Sequence, residues 1–221
     1  AALPELDQKM INICTQYLTH PDWTIRSLMT TVLSLVYDTS PNDTWVDIQA
    51  QLQNVTKDPV GQVRYSAYRA LYNHPKRVLE TLFLDLLRSG MGDSDVRVRA
   101  DVARVFRTQT LDRAKDALVK LLKDSDSRVR ANALGSLYEL WHDTGKDLRE
   151  LLTLVSFLFD DSNSRVVADM AIYMSDLEPE RCRTVVQNLL NHTTPQNIAS
   201  GIYAASKAFP ELLRQNMERL M

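Results

Sequence analysis

The residues best suited to metal or acid–base chemistry in this sequence are four histidines, His20, His74, His142 and His192. No two of them have the spacing of ligands that share one metal ion. His20 and His74 each precede a proline, which marks a turn, and His142 lies near a predicted helix end. We therefore expect structural or solvent-exposed histidines, with no metal site and no cofactor.

Other candidates for catalysis are equally sparse. Asp160 and Asp161 form a pair of adjacent carboxylates, but they fall in a repeated turn described below. The sequence has no Gly-x-Gly-x-x-Gly motif, no Gly-Lys-Ser/Thr phosphate loop and no Gly-x-Ser-x-Gly elbow. We predict that the protein is not an enzyme and has no catalytic residue.

The two cysteines, Cys14 and Cys182, lie far apart within amphipathic helical patterns. We interpret them as buried free thiols, which favours a reducing, cytoplasmic or other intracellular compartment. No apolar run approaches the ~20 residues that span a bilayer. Three Asn-x-Ser/Thr sequons, at Asn42, Asn54 and Asn191, leave secretion open.

Charge is unevenly distributed along the chain, although the formal net charge is only -2. Residues 1–56 carry 2 basic and 6 acidic side chains, and residues 131–221 carry 8 basic and 12 acidic ones. Residues 57–130 between them carry 16 basic and 10 acidic side chains. The middle segment is therefore net +6 between flanks of -4 each.

The basic centre and the segment that follows it combine arginines with tyrosines. The candidate partner-binding residues are Arg69, Tyr72, Arg104, Arg107 and Tyr138. On one surface they would suit an acidic peptide or a phosphate backbone. The alternative is a solvated helix face with ordinary i,i+4 charge pairs, and buried tyrosines.

These residues belong to an internal repeat. Its frame is an aspartate, four loosely polar residues, an aliphatic residue, an arginine, two further residues and a small or apolar one. The clearest copies are residues 58–67, 93–102, 124–133 and 161–170, with degenerate copies at 21–26 and 195–199. The anchor positions are 26, 64, 99, 130, 167 and 199, so that the period is 31–38 residues.

Each repeat is predicted to contain two helices. The first begins after a proline or a capping residue such as Ser40 or Thr110, and the second begins at the aspartate frame. Apolar residues recur with helical period, as in Val129, Ala133, Leu134 and Leu137. The predicted pairs are 4–19 with 22–38, 41–56 with 60–73, 75–90 with 94–108, 111–123 with 126–142, 146–160 with 163–176, and 179–192 with 195–208, followed by a half-unit at 210–221.

The recurring Asp…Val-Arg frame resembles the HEAT repeat, a member of the armadillo-like superhelices. The resemblance is strongest over 58–140 and lacks its arginine at Val167 and Ala199. It implies an all-α fold: a right-handed α-solenoid of about six stacked helix pairs plus a terminal helix. We expect one domain over 1–221, and the ends at Ala1 and Met221 are compatible with a part of a longer protein.

By analogy with the family, the repeated charges imply a structural ladder. The arginine of one repeat would reach the turn aspartate or carbonyls of the next by charge-assisted hydrogen bonds. Its residues are Asp58, Arg64, Asp93, Arg99, Asp124 and Arg130.

The helical frame also places the binding candidates. Arg69 and Arg104 follow the repeat arginines by five residues, and Tyr72, Arg107 and Tyr138 follow them by eight. Both offsets lie away from the apolar stripe, so we expect them on the concave face that second helices line.

Three functions compete at this point. The leading hypothesis is a protein–protein interaction scaffold or adaptor that binds a protein or acidic peptide on its concave face. A nucleic-acid-binding protein of the DNA-repair type would also use the basic centre. The short 31-residue step between Arg99 and Arg130 is similar to HEAT-like chromophore lyases, which suggests a lyase or chaperone subunit. Partner identity and oligomeric state stay open.

Overall fold

The computed structural model describes residues 4–39, 45–73, 78 and 80–220. These residues form thirteen α-helices and short 3₁₀ turns, with no strand among them. The predicted all-α fold of helix pairs is therefore confirmed. The predicted helix starts at Ser40-Pro41 and His74-Pro75 lie outside the described residues.

The helices follow the predicted pairs to within a few residues. Ends differ most where a predicted helix closes with a turn or 3₁₀ segment, as after α6 and α9. The helices are α1 Pro4–Tyr17, α2 Trp23–Thr39, α3 Trp45–Val55, α4 Gly61–Tyr72, α5 Glu80–Met91, α6 Val96–Val105, α7 Leu111–Leu121, α8 Ser127–Asp143, α9 Leu148–Val155, α10 Ser164–Tyr173, α11 Pro179–Leu190, α12 Pro195–Ala208 and α13 Pro210–Leu220.

The chain divides into two compact units, Ala1–Val102 and Ala103–Met221. In the first unit, α2 packs against both α1 and α4. In the second unit, α10 packs between α8 and α12, so the second helices of successive repeats form one layer. The single domain expected from the sequence stays a prediction.

Apolar stripes with helical period form the core of each unit. Val129, Ala133, Leu134 and Leu137 of α8 are fully buried, as the sequence predicts. Small residues allow close packing: a Cβ added to Gly201 of α12 would lie 2.7 Å from the backbone nitrogen of Leu190. Burial of apolar surface between neighbouring helices is thus what holds each stack together.

The turns before the second helices share one hydrogen-bonding pattern. Before α8, Asp124 accepts the N–H of Asp126 at 2.9 Å, and Asp126 accepts the N–H of Arg128 at 2.9 Å. Each aspartate satisfies an N–H that the helix start would otherwise leave unpaired. The same pattern recurs before α6 with Asp93 and Asp95, and before α10 with Asp161 and Asn163. Thr110, in contrast, is the N-cap of α7 but its hydroxyl makes no capping bond.

Arginines of the second helices bridge successive turns within each unit. Arg64 donates from Nε and Nη2 to the two carboxylate oxygens of Asp93 at 2.8 and 2.6 Å. Its Nη1 donates to the carbonyls of Asp58 and Pro59 in its own turn. Bidentate bridges of the same kind join Arg26 to Asp58 and Arg130 to Asp161.

The remaining ladder residues keep the local part of this pattern. Arg99 donates to the carbonyls of Asp93 and Ser94, as the other repeat arginines do in their own turns. Asp124 accepts the N–H of Asp126. A bridge from Arg99 to Asp124 stays a prediction.

Histidines replace the turn aspartate at both ends of the described repeats. Nδ1 of His20 accepts the N–H of Asp22 at 3.0 Å, and Nδ1 of His192 accepts the N–H of Thr194 at 3.1 Å. The repeat before His192 carries Val167 where the others carry arginine. The ring nitrogen thus takes the place of the aspartate oxygen as the acceptor of the turn N–H.

We predict that replacing Arg64 with alanine strongly destabilises the first unit. The side chain of Asp93 is only 7% exposed, so its charge would stay buried after losing the ion pair. The expected loss is about 3 kcal/mol of unfolding free energy, measured by urea denaturation. Arg88→Ala is the control, because its pair with Asp85 is exposed and should contribute less than about 1 kcal/mol. Equal losses in the two variants would contradict a structural role of the bridge.

A second prediction concerns pH. Burial by itself raises the pKa of Asp58, but the hydrogen bonds from Arg26 and from the N–H of Val60 outweigh it and lower the pKa below the ordinary 3.8. Asp58 therefore contributes stability that is present above pH 3.8 and is lost as the pH falls through its lowered folded pKa. We expect Asp58→Asn to cost about 2 kcal/mol near neutral pH and progressively less below pH 3.8. Thermal unfolding at several pH values checks this, and a pH-independent difference would contradict it.

Candidate partner-binding site

The second unit contains a groove between α8 and α10 whose lining includes four arginines. Arg104 and Arg107 come from the end of α6 and the turn after it, Arg128 from α8 and Arg165 from α10. The groove has a volume of about 510 Å³. We call it the arginine groove. Glu139, Asp169 and Tyr173 also line it.

Arg165 is held in place from two sides. Its Nε–H donates to both carboxylate oxygens of Asp169, at 3.0 and 3.1 Å, and its guanidinium lies 4.0 Å from the ring centroid of Tyr203. Both of these hydrogen bonds use Nε of the guanidinium group. The side chain of Arg165 is 56% exposed, so a ligand can reach this prepositioned cation.

Arg128 is held by a different carboxylate. Its Nε and Nη2 lie 3.1 and 3.0 Å from the two oxygens of Asp126, the N-cap of the same helix. Its side chain is 62% exposed. Arg107 lies 3.7 Å from Glu139 in a looser and more exposed pair. Four arginines against two lining carboxylates leave the groove with an excess of positive charge.

Tyr173 and Gly135 add uncharged groups to the lining of the groove. Burial raises the pKa of Tyr173 to about 12, assisted by the negative charges of Asp169 and Glu139. The ring of Tyr173 stacks on Tyr138 with centroids 4.4 Å apart. A Cβ on Gly135 would lie 3.2 Å from the hydroxyl of Tyr173, so glycine leaves room at this point.

Asp169 is almost fully buried beside the groove. Burial raises its pKa above the ordinary value, and the charge and hydrogen bonds of Arg165 only partly oppose this effect. The carboxylate therefore positions Arg165 at an energetic cost to the folded state.

The predicted partner-binding residues fall into three groups. Arg104 and Arg107 line the arginine groove, and the half-buried Tyr138 supports it through Tyr173. Arg69 lines a separate groove of about 360 Å³ in the first unit, where its guanidinium lies 5.7 Å from the ring centroid of Tyr65.

Tyr72 corrects the prediction from the sequence. It is only 6% exposed, and its hydroxyl donates to the carbonyl of Leu86 at 3.1 Å. Its ring also meets Phe83 edge-on. Tyr72 is therefore a core residue of the first unit and offers no surface for a partner.

The sequence reasoning missed Arg128, Arg165, Asp169 and Tyr173. A signal for the two arginines was present, because they lie two residues before anchor positions 130 and 167. Arg97 occupies the same position before Arg99, and it is ion-paired with Asp95.

Other reactive groups in the described residues serve the fold. Cys14 and Cys182 are buried free thiols, and burial raises the pKa of both, that of Cys182 to about 12. Asp161 of the carboxylate pair accepts the bridge from Arg130. No group of three or more His, Cys, Asp or Glu side chains in the described part of the chain could hold a metal ion.

Comparison with protein families places the repeat. A family model described as HEAT repeats matches residues 84–175, which include α6 to α10 and most of α5. Residues 84–175 are therefore similar to HEAT repeats. The arginine groove lies within the segment that matches this family model, because all of its lining residues fall between 104 and 173.

Solved structures support the same fold over nearly the whole chain. The Escherichia coli protein YibA is similar with a TM-score of 0.68 and 16% identity, covering 96% of this chain and 76% of YibA. An engineered protein is similar with a TM-score of 0.50 and 18% identity, covering 90% of this chain and 94% of its own. At such identities the likeness of these proteins to this chain concerns the fold alone. A comparison with curated protein sequences gave no match.

A helix that crosses a bilayer needs about 20 predominantly apolar residues. No helix among the described residues is both long enough and apolar enough to do so.

We predict that Asp169→Asn does not destabilise the protein at neutral pH and raises its unfolding free energy. A carboxyl whose pKa is raised by folding binds its proton more tightly in the folded state. The wild type therefore loses stability as the pH rises above the ordinary value of 3.8, and the asparagine variant does not. Urea denaturation at pH 4 and pH 7 should show the variant gaining on the wild type at the higher pH. A loss of stability at pH 7 would mean that the ion pair with Arg165 outweighs the burial of Asp169.

Proposed function

We propose that this protein is an interaction module that binds an acidic segment of another protein in the arginine groove. The observation that carries the proposal is the convergence of Arg104, Arg107, Arg128 and Arg165 on one open groove between stacked second helices. Arginine recognises carboxylates through paired N–H groups, and stacked helical repeats present such residues on an extended surface.

The ionisable groups of the groove favour binding over catalysis. Tyr173, with its pKa raised to about 12, stays protonated near neutral pH and is a poor general base. Asp169 is engaged by Arg165, and Glu139 lies beside Arg107. The remaining lining charges are arginines, which bind anions but do not exchange protons at ordinary pH.

A protein partner suits the charge distribution better than nucleic acid does. Glu139 and Asp169 interrupt the positive surface, and residues 103–221 carry equal numbers of basic and acidic side chains, 16 of each. A continuous phosphate backbone would meet these carboxylates, whereas a peptide can place single acidic side chains at the arginines. Nucleic acid is therefore an outcome that the test must distinguish.

The test measures binding of a fluorescent oligoglutamate peptide and of a duplex DNA by fluorescence anisotropy at several salt concentrations. The groove variant carries Arg107→Glu together with Arg165→Glu. We expect it to bind the peptide at least about tenfold more weakly than the wild type, because two charge-assisted contacts become repulsive.

The control variant carries Lys123→Glu together with Arg149→Glu, which makes the same change in net charge at exposed positions outside the groove. We expect its affinity to stay within roughly twofold of the wild type, since exposed charges far from a ligand are screened. Equal weakening in both variants would indicate non-specific charge attraction. Preference for the DNA, with a steep salt dependence, would favour a nucleic-acid function instead.

A further inference from the structure

Three arginines occupy equivalent places in the second helices but differ in their ion pairs. Arg97, Arg128 and Arg165 are the second residues of α6, α8 and α10. Arg97 donates from Nε and Nη2 to the two carboxylate oxygens of Asp95, at 3.0 and 2.6 Å. Arg128 donates from the same two atoms to Asp126, at 3.1 and 3.0 Å. In both repeats the partner is the aspartate directly before the helix.

In the repeat of α10 an asparagine stands at the place of this aspartate. The side chain of Asn163 still accepts the backbone N–H of Arg165, at 3.0 Å, so the start of the helix is capped as in the other repeats. A neutral amide offers the guanidinium no ion pair. Arg165 pairs instead with Asp169, which lies one turn further along α10.

The exchange of partner changes what the guanidinium can offer to a ligand. The cap carboxylate engages both Nε and Nη2 of Arg128, whereas both bonds to Asp169 come from Nε of Arg165. The pair with Asp169 therefore leaves the N–H donors of both Nη atoms for a ligand. The carboxylate of this pair is also the buried member, with 8% of its side chain exposed against 56% for Arg165.

We infer that Arg165 is the main anchor for the carboxylate of the ligand in the arginine groove, and that Asp169 is the positioning residue that holds it for this contact. The ring of Tyr203 on α12, 4.0 Å from the guanidinium, restrains the same side chain. The inference rests on the proposed function and identifies the residues that determine affinity within its site.

Positioning and simple charge attraction make opposite predictions for Asp169. If only the sum of charges mattered, removing a carboxylate from the groove would strengthen the binding of an acidic ligand. If Asp169 positions Arg165, removing it releases a long side chain that must be immobilised again on binding, and affinity falls. The direction of the change therefore distinguishes the two explanations.

The first test compares two variants that each remove one negative charge from the lining of the groove. Asp169→Asn removes the carboxylate that holds Arg165, and the matched control Glu139→Gln removes the one beside Arg107. Binding of the fluorescent oligoglutamate peptide is measured by anisotropy at one salt concentration. We expect Asp169→Asn to bind about fivefold more weakly than the wild type, the effect of immobilising one side chain. Glu139→Gln should bind about twofold more tightly, because one exposed like charge is removed.

The second test moves the carboxylate without changing the charge. Asn163→Asp combined with Asp169→Asn restores the aspartate that precedes α6 and α8, and both positions line the groove. Aspartate caps a helix as well as asparagine does. We expect Arg165 to turn to the new aspartate and engage it through Nε and Nη2, as Arg128 does with Asp126. The variant should bind the peptide at least about fivefold more weakly than the wild type.

Arginine variants then identify the anchor. Arg165→Gln should weaken binding about tenfold and Arg128→Gln less than about threefold, although both remove one charge from equivalent places. In the Arg165→Gln background, adding Asp169→Asn should cause no further weakening, because the side chain that it positions is gone. Thermal unfolding measurements verify that each variant is folded.

The outcomes separate the inference from the proposed function. Binding by Asp169→Asn or by the moved-carboxylate variant that equals or exceeds that of the wild type would overturn the positioning role. Weakening by Asp169→Asn that persists in the Arg165→Gln background would do the same. Equal weakening by Arg165→Gln and Arg128→Gln would overturn the assignment of the anchor. In each of these cases the proposed function stands, as long as the wild type binds the peptide. Failure of the wild type to bind it would overturn both proposals.

Discussion

A buried turn aspartate needs a positive partner, and in this protein the arginine of the preceding repeat supplies it. Asp161 is the clearest case in the second unit, because its side chain is 6% exposed and accepts both Nε and Nη2 of Arg130. Arg130 simultaneously donates to the carbonyls of its own turn, so it binds the start of α8 to the start of α10. Two short bidentate bonds tolerate little sliding of one turn past the other. The bridge therefore sets the level at which neighbouring second helices begin.

That constraint extends to the arginine groove. Arg128 lies two residues before Arg130 and Arg165 lies four residues after Asp161, so both side chains leave the backbone next to the bridge. The backbone positions of the two groove arginines are consequently coupled to the Arg130–Asp161 bridge. His192 stands at a turn whose preceding repeat carries Val167 at the arginine position. The bridge that stabilises the packing of α8 against α10 therefore also positions the segments that carry Arg128 and Arg165.

Local patterns explain which features could be predicted from the sequence. The apolar stripe of α8 and the aspartate frame of the turns recur within a few residues, so periodicity alone locates them. Tyr72 shows where this reasoning ends: it shares its repeat position with Arg107 and Tyr138, but its ring packs on Phe83 and its hydroxyl finds the carbonyl of Leu86. A tyrosine hydroxyl can find a hydrogen-bond partner in a core or at the surface. Whether the side chain is buried therefore depends on the groups that the neighbouring helix offers. The i,i+4 spacing of Arg165 and Asp169 could be read from the sequence. The burial of Asp169, which leaves Arg165 as the exposed member of the pair, could not.

Net charge is a poor guide to such a surface because it does not say where the accessible charges lie. Residues 103–221 are electrically balanced, with 16 basic and 16 acidic side chains. Within the arginine groove, however, the basic side chains are more accessible than the acidic ones. Asp161 is buried in its ion pair with Arg130, and Asp126 caps α8. The side chains of Arg107, Arg128 and Arg165 are 44%, 62% and 56% exposed in one groove. The potential that a ligand meets is set by the charges left accessible after folding, and in the arginine groove those are predominantly positive. An electrically balanced unit can therefore attract an acidic partner at one place without being a general binder of polyanions.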